Sequence, residues 1–253
     1  MSLNLHHFGE PSRPTLVLVH GLTDDGTCWP DAVERWQDEW HVVAVDQRGH
    51  GDSPRFHDEN LPVSPTVLAD DLVEVLRHTG PAVLVGHSLG GLISARVCHA
   101  HPELVRGAVL EDPAKPGSGW SVDEEFSRDI LGFIDAVTAD PAGELERMRR
   151  ETPWSETELA AWATSKAKVD RRYVREGLFL GEASWEAMFN DLRVPTLIVV
   201  PVGGEMAPHP ELLDNPLVRL VEVPGAGHCV RRDRPEEFHR IVDAFLAELP
   251  EAH

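Results

Sequence analysis

Six short, mainly apolar runs of strand length punctuate the chain, at 15–19, 42–45, 82–85, 107–110, 195–200 and 218–223. They are rich in β-branched side chains and continuous rather than alternating, the pattern of strands covered on both faces. Between several of them apolar positions recur at helical spacing, as over 65–79 and 89–101. Strand–helix–strand repetition predicts a parallel sheet with right-handed crossovers. Gly80-Pro81 and His101-Pro102 stop two of the helices. The last helix, predicted over 235–249, opens with Pro and then two Glu, which suit its first turn.

Residues 115–191 break this rhythm. They lack β-branched runs, carry acidic and basic residues at helical spacing, and hold four of the seven tryptophans, Trp120, Trp154, Trp162 and Trp185. The segment is predicted to be a helical insertion, which divides the chain into a core of 1–114 and 192–253 and a lid of 115–191. Its tryptophans either pack amphipathic helices onto the rest of the molecule or line a pocket beneath the lid.

Candidate chemistry centres on Gly86-His87-Ser88-Leu89-Gly90, set between the apolar run 82–85 and a helix. A strand, a sharp turn with Ser at its apex, and a helix form the context of a nucleophile elbow. By composition alone such a pentapeptide arises about 0.1 times in a chain of this length, so its partners must decide. Upstream, the strand 15–19 runs into His20-Gly21-Leu22. In a parallel sheet that loop shares an edge with Ser88, so the Leu22 and Leu89 amides are candidate oxyanion donors. His20 is read as bracing the loop. Downstream, His228 sits in a loop with two glycines after the strand 218–223, the place for a general base. The acid that orients it is sought in two loops: Glu111 and Asp112 follow the strand 107–110, and Glu205 follows 195–200.

Size and charge set the outer bounds. The chain has 253 residues, 42% hydrophobic, enough for one sizeable α/β domain with an insertion. Its formal net charge of −20, from 23 basic and 43 acidic residues, argues against nucleic acid or an anionic membrane as partner and leaves a small-molecule substrate. Neither a secretory signal nor a run of membrane-span length is visible. Cys28, Cys98 and Cys229 are widely spaced and read as free thiols of a cytoplasmic protein. The 14 histidines form no convincing metal cluster, and no nucleotide-type glycine loop is present. Oligomeric state leaves no mark on the sequence.

Together His20-Gly21, Asp46-Gln47-Arg48-Gly49-His50-Gly51-Asp52-Ser53, Gly86-His87-Ser88-Leu89-Gly90-Gly91 and Gly227-His228 resemble the α/β-hydrolase superfamily, in its lid-bearing, serine esterase-like branch. The resemblance spans almost the whole chain. It implies an α/β fold with a mostly parallel sheet flanked by helices, and a helical lid inserted after the sixth strand in the family's count, here the run 107–110. It also implies Ser88 as nucleophile, His228 as base, the backbone N–H groups of Leu22 and Leu89 as oxyanion hole, a bracing role for Asp46 and Arg48, and no cofactor or metal. Two departures stand out. Only residues 3–8 precede the His-Gly strand, so the N-terminal hairpin is trimmed. The loop after 195–200, which usually reads Gly-x-x-Asp, has Ala207 where the Asp is expected. Some relatives carry the acid one strand earlier, and Val109-Leu110-Glu111-Asp112-Pro113 looks like that arrangement. Asp112 is therefore the expected acid, with Pro113 holding it extended; Glu205 and Glu111 are the alternatives. The expected reaction is hydrolysis of a small to medium carboxylic ester or lactone through an acyl-enzyme. Carbon–carbon bond hydrolysis and perhydrolysis use the same groups. A non-catalytic small-molecule receptor of hydrolase fold is the reading from a different class.

Overall fold

The structure, a computed structural model, describes residues 2–116, 124–181 and 184–250. Seven strands form one sheet in the order β1-β3-β2-β4-β5-β6-β7. They are β1 (Leu5–Phe8), β2 (Thr15–Val19), β3 (His41–Val45), β4 (Ala82–His87), β5 (Val105–Glu111), β6 (Thr196–Pro201) and β7 (Val218–Val223). Only β1 runs antiparallel, against β3; every other pairing is parallel. All six apolar runs of the sequence became strands, with ends moved by a residue or two.

Successive residues of a strand point to opposite faces, and both faces are covered. On one side Val17 and Val19 join Leu68, Leu72 and Leu76 of α2 (Ser64–Thr79) and Leu92 and Ile93 of α3 (Leu89–Ala100). On the other, Leu16 and Leu18 pack with Ala32 and Trp36 of α1 (Pro30–Trp36) and with Phe238, Val242 and Phe245 of the C-terminal helix, Pro235–Glu248. The expectation of strands buried on both faces fails for β7. It closes the sheet on one edge, with Arg219 and Glu222 facing solvent.

The predicted insertion lies between β5 and β6. It comprises α4 (Glu124–Ala139), α5 (Pro141–Glu151), α6 (Glu156–Ser165), a π-helical turn at Tyr173–Gly177 and α7 (Trp185–Asn190). The strand that the resemblance numbers sixth is the fifth of this chain, because β1 alone stands where the family has a hairpin. Side-chain caps define three of the helix starts: Asp140 accepts from Gly143 N at 3.0 Å, Ser155 Oγ from Glu158 N at 3.2 Å and Ser184 Oγ from Ala187 N at 3.4 Å. Val137, Met148, Leu159 and Trp162 give the insertion a small core of its own. Trp185 is buried beside Phe189 and donates its indole N–H to Met206 O at 2.8 Å. Trp120 lies outside the described residues.

Strand order reverses direction between β2 and β4, so the loops leaving those two strands open a crevice at the carboxyl edge of the sheet. The first turn of α3 closes against that edge. A Cβ on Gly90 would sit 2.1 Å from Val19 O and 2.5 Å from His20 O. Gly90→Ala is expected to cost about 1–3 kcal/mol or more, read as a loss of folded yield and a lower urea midpoint. Gly132 in α4 has nothing within 4 Å of its would-be Cβ. There Ala is expected to stabilise by roughly 0.5–1 kcal/mol through helix propensity. Equal effects of the two substitutions would contradict this packing.

Candidate active site

Ser88 joins β4 to α3 with φ 52° and ψ −116°. A side-chain-bearing residue in that sparsely populated region costs on the order of 1–3 kcal/mol unless its surroundings impose it. Here they do. Ser88 N donates to Glu111 O at 3.0 Å, and Ser88 O accepts from Leu92 N at 3.0 Å and Ala114 N at 2.9 Å. A Cβ on Gly86 would meet Gly90 O at 2.5 Å, so the chain on the two sides of the serine passes too close for any other residue. The hydroxyl is left at the apex, opening onto a cavity.

His228 reaches the same cavity from the loop after β7. Its Nδ1 lies 2.6 Å from Asp112 Oδ2. The imidazole is 43% exposed and the carboxylate 4%, so one face of the ring meets substrate space while the other is held inside. No hydrogen bond joins Ser88 Oγ to His228 in this structure; such contacts commonly tighten only when substrate binds. The expectation that Pro113 keeps Asp112 extended does not hold. Asp112 has φ +34°, because its N–H donates to Val199 O at 2.8 Å while Ala114 N turns back to Ser88 O. Glu111 is committed elsewhere: its buried carboxylate accepts from Arg231 N at 2.6 Å. Glu205 is exposed and makes no hydrogen bond to His228, and Ala207 N closes a turn onto Gly204 O at 3.2 Å. The second residue of the pentapeptide also braces the base loop, with His87 Nε2 3.1 Å from His228 O.

Leu22 and Leu89 line the cavity on either side of Ser88. Their loop is heavily braced. Leu22 O accepts from His50 Nε2 at 2.5 Å. His20 is fully buried, with Nδ1 2.7 Å from Gly21 O and Nε2 accepting from Gln47 N at 3.0 Å. Burial favours the neutral form of both rings, lowering His20 and taking His50 down to about 3 with the help of its neighbour His20. Asp46 ties the adjacent loop together through Gly26 N at 2.7 Å and Asp52 N at 2.8 Å. Arg48 forms a two-pronged pair with Asp71 at 2.7 and 2.8 Å.

A buried ionic cluster at the site has no counterpart in the sequence reading. Asp24 accepts from Lys166 Nζ at 2.5 Å and from Arg232 at 2.8 Å. Glu158 on α6 accepts from Arg231 and, at 2.7 Å, from Arg232 Nε. Lys166 also donates to Thr23 O at 2.9 Å, and Arg231 to Cys28 O at 2.9 Å. The insertion is thereby tied both to the loop carrying Leu22 and to the short helix α8 (Val230–Asp233) that follows His228. Lys166 and its partners lie more than a hundred residues apart, and no local pattern flags such a contact.

The cavity has a volume of about 640 Å³. Gly21, Leu22 and Met206 of the sheet side meet Phe133, Trp154 and Trp162 of the insertion across it. Of the three inserted tryptophans among the described residues, Trp154 and Trp162 line the pocket, while Trp185 is packing. All three cysteines are free; Cys28 and Cys98 are buried, which pushes both thiols up to about 12. Among the described residues no group of three His, Cys, Asp or Glu is placed to hold a metal ion, and no helix is long and apolar enough to cross a membrane.

Comparison with known proteins places this geometry. A family model described as the alpha/beta hydrolase family matches residues 16–241. A 2-(acetamidomethylene)succinate hydrolase of Mesorhizobium japonicum is 29% identical, over 97% of this chain and 92% of that protein. A pimeloyl-[acyl-carrier protein] methyl ester esterase of Xanthomonas oryzae pv. oryzae is 27% identical, over 94% of this chain and 96% of that protein. The crystal structure of an enol-lactonase from Burkholderia xenovorans LB400 superimposes with a TM-score of 0.76 at 23% identity, covering 97% and 96% of the two chains.

The ionic cluster carries a pH signature. Burial alone would raise the carboxyls of Asp24 and Glu158, but Arg232 and Lys166 on the first, and Arg231 and Arg232 on the second, hold both below their ordinary values. A depressed folded value contributes stability above the unfolded range near pH ~4, which is lost as pH falls through the folded value. Glu158→Gln leaves two buried guanidiniums short of a partner and is expected to cost about 3–5 kcal/mol at pH 7. In urea titrations its gap to the wild type should narrow below pH ~4; a gap independent of pH would contradict the assignment.

Proposed function

The chain belongs to the alpha/beta hydrolase family, and on that footing we propose that it cleaves a small to medium carboxylic ester or lactone through a covalent acyl-enzyme on Ser88. The observation that carries this reading is the meeting, in one cavity, of Ser88 at a strained turn and a histidine held by a buried carboxylate. Ser88 Oγ attacks the substrate carbonyl and passes its proton to His228 Nε2. Asp112 accepts the Nδ1–H, fixes the tautomer and stabilises the imidazolium. The tetrahedral oxyanion takes hydrogen bonds from the Leu22 and Leu89 amides, which make no other bond among the described residues. As the carbon–oxygen bond breaks, His228 returns the proton to the leaving alkoxide. Water then attacks the acyl carbon, losing a proton to His228, and Ser88 is released. In this reading 115–191 acts as a lid that walls the acyl pocket with Phe133, Trp154 and Trp162. Hydrolases of a substituted succinate and of a methyl ester among its relatives support water as the acceptor. The acid contact of Asp112 weighs against a receptor that has lost its triad, despite Ala207.

Short p-nitrophenyl esters and a lactone panel test the proposal. Ser88→Ala is expected to lower kcat by roughly 10⁶, and Asp112→Asn by about 10⁴. Glu205→Gln should leave the rate within a few-fold, whereas Glu111→Gln loosens Arg231 and shows mainly as lost stability. Turnover that is independent of Ser88 would overturn the reading, and a collapse confined to Glu205→Gln would reassign the acid.

A further inference from the structure

We propose that Lys115 recognises an anionic end of the substrate, so that the preferred ester carries a carboxylate on its acyl chain. The inference rests on the serine-hydrolase reading and adds a substrate class to it. Five Asp, His, Lys or Arg side chains line the cavity: Asp24, His87, Lys115, His228 and Arg232. Four are committed within the protein. His87 Nε2 lies 3.1 Å from His228 O. Asp24 spends one oxygen on Lys166 and the other on Arg232. Arg232 is shared between Asp24 and Glu158 and lies over the Trp154 ring at 4.8 Å. His228 is engaged by Asp112.

Lys115 differs. It is half-buried on the cavity wall, and among the described residues no carboxylate lies within ion-pair distance of it. Glu186 feels its charge but accepts from His209 N at 3.2 Å. Most of the remaining wall is aromatic and aliphatic, including Phe126, Ile130, Leu178 and Leu180. A partly desolvated ammonium facing such a wall gains most from an anion brought by the ligand. Its place in the chain sets where that anion sits. Ala114 N–H bonds Ser88 O at 2.9 Å, so the Lys115 side chain is rooted one residue from a direct contact with the serine. The chain's net charge of −20 repels anions at a distance. That field is screened beyond about 8 Å at physiological ionic strength, so inside the cavity the local ammonium decides.

The test compares kcat/KM for p-nitrophenyl hemiglutarate with that for its neutral counterpart, p-nitrophenyl pentanoate. In the wild type the ratio should favour the anionic ester. Lys115→Met should lower that ratio by about 10- to 100-fold, the worth of a charge-assisted contact. Lys115→Arg should restore most of it, and Lys115→Glu should invert it. An unchanged ratio in Lys115→Met, at matched thermal stability, overturns the proposal. If neither ester is turned over, the hydrolase reading has failed separately. Glutarate binding to the Ser88→Ala protein, followed by thermal shift, then decides the site: a shift lost in Ser88→Ala/Lys115→Met supports it, and no shift overturns it.

Discussion

The site is organised by how closely the first turn of α3 approaches the end of β2. Gly90 rests against the carbonyls of Val19 and His20, and Gly86 leaves room for the carbonyl of Gly90. With those two positions bare of side chains, the turn between β4 and α3 can be sharp enough to force Ser88 to φ 52°. The same approach brings Leu22, three residues past β2, and Leu89, the first residue of α3, to one cavity. Hydrogen bonds from the end of β5 and the residues just beyond it complete the clamp: Glu111 O and Ala114 N both bind the backbone of Ser88. The strand that ends in Glu111 thus fixes the proposed nucleophile through its backbone and delivers Asp112 to the histidine through the next residue.

Charge is used in two ways around this frame. Asp24, Glu158, Lys166, Arg231 and Arg232 form a closed set of buried pairs that ties the insertion to the loop of Leu22 and to the helix following His228. Breaking such a set is costly because each removal strands an ion away from water. On the proposed mechanism this makes the position of the lid a condition for the geometry of the oxyanion and base loops. The cavity wall between these anchors is apolar, which strengthens electrostatic contacts made inside it.

Much of this was legible in the sequence, for local reasons. Continuous β-branched runs suit buried strands; all six runs became strands, and only the edge strand β7 is not covered on both faces. The placing of Ser88 after β4 and His228 after β7, both at the carboxyl edge of a parallel sheet, follows from topology once the sheet is known. Asp112 came from the family resemblance, which has Ala207 where the acid usually stands and relatives with the acid one strand earlier, and the structure puts its carboxylate beside His228. Its backbone was misread, because a local rule about residues before proline yielded to two longer-range hydrogen bonds. The ionic cluster was invisible for the same physical reason. Its paired members are separated by up to 208 residues, and nothing in an isolated Glu or Lys announces burial. Trp154 and Trp162 could not be told from Trp185 because pocket-lining and packing tryptophans share the same helical spacing.

The central claim is that Ser88 carries the acyl group, and trapping it is the most direct measurement. The protein is mixed with p-nitrophenyl acetate or a fluorophosphonate, quenched in acid within milliseconds to minutes, and examined by intact-mass and peptide mass spectrometry. The account predicts a single adduct on the peptide containing Ser88, absent from Ser88→Ala and formed far more slowly in His228→Ala. An adduct on another residue, or none while ester is being consumed, would contradict it.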